Sequence, residues 1–219
     1  MRHLHRDLDL LKRRILGMGT MVETLTNIAI AAFEERRADL AEEAMASDAR
    51  IDEKEVEIEE ECLKILALHQ PFAADLRFII TVLKVNNDLE RMGDLAVNIA
   101  GRAAFLCTKP RLTVDTLQVE EMAGQVRKMV RMALDSLVNQ DTQLAREVLA
   151  ADEVVDNYHR RMFEVVTERM KKDPDCVERA THVISVSRAL ERIADLATNI
   201  AEDVVFLVEG EVIRHGLNQ

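Results

Sequence analysis

The chain has no tryptophan, and only three prolines and seven glycines punctuate its 219 residues. So few turn formers leave few places for a sharp reversal, and 3% aromatic residues is poor material for a sheet sandwich or barrel. The abundance of Ala, Leu, Glu, Arg and Met instead matches long packed helices, and the expected fold is all-α.

Cysteine is equally sparse. Cys62, Cys107 and Cys176 are odd in number, far apart and without a C-x-x-C spacing, so they read as reduced thiols of a cytoplasmic protein. No block of Lys or Arg offsets the formal charge of −11, which repels a phosphate backbone and argues against a nucleic-acid partner. The first residues, "MRHLHRDLDLLKRR", alternate charge with leucine and contain no apolar signal-peptide core. No uninterrupted apolar run approaches the roughly 18 residues of a membrane span, so any membrane association is expected through partners.

The prolines fall where long periodic stretches break. Pro110 lies in "TKPRLT", which divides the chain into a first unit over 1–108, a linker at 109–113 and a second unit over 114–212. Pro71 and Pro174 sit at corresponding places in the two units, and the polar breaks "EERRAD" and "NQDT" supply one more turn in each. The expectation is six long helices forming two tandem homologous three-helix bundles.

The last helix of each unit carries one phrase twice. "LERMGDLAVNIAGRAAFL" (89–106) and "LERIADLATNIAEDVVFL" (190–207) are identical at 11 of 18 positions. Their apolar residues, Leu89, Met92, Ala96, Ile99, Ala103 and Leu106, then Leu190, Ile193, Ala197, Ile200, Val204 and Leu207, step by three and four along one helix face. Packing accounts for that seam, but any Leu, Ile, Val or Met would serve. It leaves Glu90, Asp94 and Asn98, and Glu191, Asp195 and Asn199, which form polar stripes at i, i+4 and i+8 on the opposite side.

The second helix of each unit also spaces acids at i and i+4: Asp48 and Asp52, then Asp152 and Asp156. In an antiparallel hairpin about Pro71, residues equally distant from it lie level. Asp52 and Glu90 are each 19 residues away, and Asp48 and Asp94 each 23. About Pro174, Asp156 and Glu191 lie 18 and 17 residues away, Asp152 and Asp195 22 and 21. Each unit is therefore expected to gather four carboxylates, which must protonate, splay into water or bind hard cations. Oxygen-only ligation favours iron, with manganese, magnesium or calcium next and zinc less suited. Asn98 and Asn199 offer carbonyl oxygens, His159 offers an imidazole to the second patch, and its counterpart Glu55 offers a carboxylate to the first.

These motifs, with "HQPFAADLRFIITVLKVNNDLERMGDLAVNIA" and "SRALERIADLATNIAEDVVFLVEGEVIRH", closely resemble the PhoU family almost end to end. The resemblance implies two homologous three-helix bundles with a metal cluster on each, held by the eight acids named above. It implies a homodimer that negatively regulates phosphate uptake and the phosphate-starvation response. The partners it implies are the ATPase subunit of a phosphate ABC transporter and a phosphate-sensing histidine kinase. Many members have His directly after the motif aspartate, where this chain has Leu95 and Leu196. A different class of function, a carboxylate-bridged dinuclear metal oxidase or metal-storage protein, usually uses Glu-x-x-His pairs, which only Asp156 and His159 approximate. With no nucleophile–base pair and no phosphate-binding Gly loop, the chain is expected not to be an enzyme.

Overall fold

In the computed structural model, residues 2–112, 118–210 and 213 are described, with no strand among them. The first unit comprises α1 (Arg2–Glu35), α2 (Ala38–Ala46), α3 (Asp48–His69) and α4 (Ala74–Cys107). The second comprises α5 (Val119–Asn139), α6 (Thr142–Lys172), the single 3-10 turn Pro174–Cys176 and α7 (Val177–Glu209). The six-helix plan is present, with one difference. The second helix of the first unit is broken at Ser47, so that α3 begins at Asp48, whereas α6 runs unbroken through the corresponding Asp152. Of the expected linker, Lys109 to Leu112 are described. Residue 113, residues 114–117 at the start of the second unit and 211–212 at its end lie outside the described residues.

The helix ends follow from local chemistry. Arg36, Gln70 and Gln140 take the left-handed conformation that ends α1, α3 and α5, and Gly210 does so after α7, where it costs a side-chain-free residue nothing. Asp141 caps α6 by accepting bonds from the Gln143 and Leu144 amides, both at 3.0 Å. All twelve seam residues of the repeated phrase are buried, as their periodicity requires. One stretch of α1, within His3–Glu35, passes a length-and-hydropathy test for a membrane span that the search for unbroken apolar runs passed over. Half of it is buried within the bundle, where its apolar surface serves the core.

α4 packs against α1, α2, α3 and α7, while α7 packs against α5, α6 and α4. These two helices run antiparallel about a pseudo-two-fold axis level with Gly93 and Ala194, themselves equivalent in the repeat. Lys84 and Asp203, ion-paired at 3.1 Å, are each nine residues from that level. Phe105 and His182, stacked at 3.9 Å between centroids, are each twelve away, and Lys109 and Glu178, paired at 3.1 Å, sixteen. An ammonium lies over a phenyl ring at each end, Lys109 over the nearby Phe105 and Lys84 across the pair over Phe206, both 5.0 Å from the centroid.

At the axis the halves exchange one methyl group. A Cβ on Gly93 would lie 3.2 Å from Ile51 Cδ1 and 3.4 Å from its Cγ2, so the glycine admits a larger residue from α3. The equivalent pair in the second half is Ala194 and Val155, both fully buried. Gly93→Ala alone crowds Ile51, which offsets the gain of about 0.5–1 kcal/mol expected from removing a mid-helix glycine. The double variant Gly93→Ala/Ile51→Val, a copy of the second half, is expected to be at least as stable as wild type. Chemical denaturation of all three proteins checks both the penalty and its relief.

Candidate metal centres

The acidic stripes lie along α4 and α7 beside the apolar seam, at the rims of the α3–α4 and α6–α7 pairs. Glu90 and Glu191 are half-buried, Asp94 and Asp195 exposed, Asp48 and Asp152 half-buried at the facing helices. The structure brings the acids together in the register expected from the prolines. Asp48 feels the negative charge of Asp52 on its own helix and of Asp94 across the pair, and Glu90 feels Asp94, Glu55 and Asp52. In the second half Asp152 feels Asp156 and Asp195, and Glu191 feels Asp195 and Asp156.

Burial first, and this repulsion second, raises the pKa values of Asp48, Glu90, Asp152, Glu191 and Asp195 above the ordinary carboxylate range. Asp152 is pushed up to about 6. Arg91 relieves Glu90, and Arg188 and Arg192 relieve Glu191 in part. No basic group contributes to the shifts of Asp48 or Asp152. At both of these equivalent positions the Oδ1 atom is enclosed without a hydrogen-bond partner among the described residues.

Among the described residues no set of three or more His, Cys, Asp or Glu side chains is closed tightly enough to cage an ion. The donor chemistry nevertheless fits one. Each half offers carboxylate oxygens from two helices, raised in proton affinity, with one enclosed oxygen that lacks a donor.

The asparagines at the ends of the stripes do not join these groups equally. Asn98 is exposed, and Asn199 faces a groove of about 500 Å³ between α4 and α7 that it shares with Arg91, Asp94, Arg192 and Asp195. Leu95 and Leu196 line the same groove. Sequence reasoning missed the opposite end of each stripe. Asn86 and Ser187, one turn before Glu90 and Glu191, are 2% and 1% exposed. Asn86 Nδ2 donates to the Glu55 carbonyl oxygen at 2.9 Å, and Ser187 Oγ lies 2.8 Å from His159 Nδ1 and 3.5 Å from Met122 Sδ. Extending the i, i+4 stripe one step toward the helix start would have found both.

Because the folded state raises the Asp152 pKa, it favours the protonated acid. That contribution is fully present below the unfolded value of 3.8 and is lost as pH rises through about 6. His159 and His182 act in the opposite sense, since burial first, with nearby cations, lowers their pKa values and acid must charge them. The Asp152 effect is therefore isolated by difference. In chelator, Asp152→Asn is expected to melt above wild type at pH 7.5, and the gap is expected to close toward pH 5. Thermal melts of both proteins across this range check it.

A model of the PhoU domain matches residues 15–103 and 119–204. Over 209 residues the chain is 39% identical to a phosphate-specific transport system accessory protein PhoU homolog of Pseudomonas putida, covering 95% of this chain and 82% of the relative. The homolog from Aquifex aeolicus is 38% identical over 97% of this chain and 96% of its own. The crystal structure of PhoU from Pseudomonas aeruginosa superimposes with a TM-score of 0.92 at 38% identity, covering 94% of this chain and 99% of that one. The phosphate transport system regulatory protein PhoU from Streptococcus pneumoniae gives 0.84 at 28% identity, covering 95% and 98%. Two matched domains, whole-chain relatives and a shared fold place the chain in the PhoU family.

Proposed function

We propose that the protein is a cytoplasmic accessory and regulatory component of a phosphate-specific transport system. In this reading it restrains phosphate uptake and the starvation response as an adaptor between the ATPase subunit of a phosphate ABC transporter and a phosphate-sensing histidine kinase. It works as a homodimer and meets the membrane only through those partners. The observation that carries the reading is similarity over 95% or more of the chain to proteins named as accessories of that transport system.

The surface chemistry supports an adaptor rather than an enzyme. The groove between α4 and α7 that holds Asp94 and Asp195 is open and lined by arginines, aspartates, leucines, Thr198 and Asn199. That lining offers no nucleophile paired with a general base. The α3–α4 turn displays Leu68 and Phe72, 66% and 82% exposed, more than isolated burial economy would leave bare.

The metal centres, in this reading, are built from Asp48, Asp52, Glu90 and Asp94 on one bundle and from Asp152, Asp156, Glu191 and Asp195 on the other. A bound cation supplies positive charge that ties α3 to α4, or α6 to α7, in place of the proton that burial otherwise favours. The carboxylates then set the height at which each hairpin is clamped, and so the shape of the surface it offers a partner.

A pull-down of tagged protein from phosphate-replete cells is expected to recover the transporter ATPase and the kinase, with lower recovery for Glu90→Ala/Asp94→Ala. Failure of wild type to recover either partner would sink the adaptor reading. Equal recovery by the double variant would show that the first acidic patch is not needed for docking.

A further inference from the structure

The two acidic patches are equivalent in their carboxylates and differ in what lies one turn beyond them. In the first, the Asn86 amide is fixed by its bond to the Glu55 carbonyl. A carbonyl accepts only from the NH2 group, so Oδ1 must face the other way. This oxygen is enclosed and has no hydrogen-bond partner among the described residues, although Asn86 is 2% exposed. Asn86 lies on the same face of α4 as Glu90 and beside Glu55, whose charge Glu90 feels. An enclosed amide oxygen without a donor therefore lies one turn from Glu90, in the half whose Asp48 Oδ1 is likewise enclosed.

In the second patch the corresponding residues are Ser187 and His159. Ser187 Oγ lies 3.5 Å from Met122 Sδ, an atom that only accepts, so the hydroxyl proton points to sulfur. Its oxygen lone pairs are then left for His159 Nδ1, 2.8 Å away, which must carry the ring proton. This relay fixes one tautomer and leaves Nε2 with a free lone pair. An imidazole whose Nδ1–H is held by an oxygen acceptor has the fixed tautomer and orientation that a metal-ligating histidine needs. His159 stands three residues from Asp156, on the helix that brings Asp152 and Asp156 to the patch.

Resting on the reading that the patches bind cations, we propose that the two patches select different classes of metal ion. The first takes a hard cation of the calcium type through oxygen alone, with Asn86 Oδ1 a neutral ligand beside the carboxylates. The second takes a first-row transition-metal ion, with His159 Nε2 a nitrogen ligand oriented by Ser187.

The test uses metal-free full-length protein titrated separately with Ca²⁺ and with Co²⁺ by calorimetry, Co²⁺ also being followed by its visible absorption. Each variant borrows the residue at the equivalent position of the other half, which keeps the change compatible with the fold: Asn86→Ser and His159→Glu. Asn86→Ser is expected to weaken Ca²⁺ binding about tenfold and leave Co²⁺ unchanged. His159→Glu is expected to weaken Co²⁺ about tenfold, alter its absorption spectrum and leave Ca²⁺ unchanged. If both ions bind both patches and each variant changes them equally, selectivity is overturned while cation binding stands. If wild type binds neither ion, the cation reading falls and selectivity with it.

Discussion

The antiparallel contact between α4 and α7 organises the molecule. Each is the central helix of its own unit, and each turns its remaining face to the other, so the two cores meet along this seam, with α1 and α5 in contact beside it. The pairs arrayed symmetrically about Gly93 and Ala194 fix the register of that seam: Asp203, 1% exposed, meets Lys84 at one end, and Phe105 stacks on His182 at the other. A buried carboxylate needs its counter-charge, and a slip of one residue along either helix would part the two. The acidic stripes inherit their positions from this arrangement, because helices committed to a common seam can present their polar sides only at the rims.

Much of this was legible in the sequence. The seam of the repeated phrase follows from steps of three and four, and the pairing of Asp52 with Glu90 and Asp48 with Asp94 follows from equal distances to Pro71. Both are local properties of straight helices joined by a short turn. What escaped is of another kind. Nothing in the periodicity of "ASDARID" marks Ser47 as a break, since serine is tolerated inside helices and the apolar pattern continues through it. The contact of α4 with α7 joins residues about a hundred positions apart, which no window of sequence spans. Asn86 and Ser187 were passed over because one is an amide and the other a hydroxyl, so the repeat hides their common position behind different chemistry.

The halves have diverged in compensating ways. Where the first has Gly93 beneath Ile51, the second has Ala194 and Val155, one methyl moved across a helix interface with the total volume held. Where the first has an amide bonded to a backbone carbonyl, the second has a hydroxyl bonded to a ring nitrogen. At Gly93 a change of one partner alone carries a packing cost that its counterpart relieves, because close packing leaves little slack there.

The break at Ser47 has a consequence for the acids beside it. Starting α3 afresh at Asp48 sets that half-buried carboxylate in the first turn of a helix, where burial first and then Asp52 and Asp94 raise its pKa. Asp152 occupies the middle of α6, with no helix end near it, and has its pKa pushed up to about 6. The two equivalent acids are raised by the same causes, burial first and acidic neighbours second, in different helical settings. One register of acids is thus delivered by a helix start in one half and by an unbroken helix in the other, so the height of the carboxylates does not depend on helix continuity.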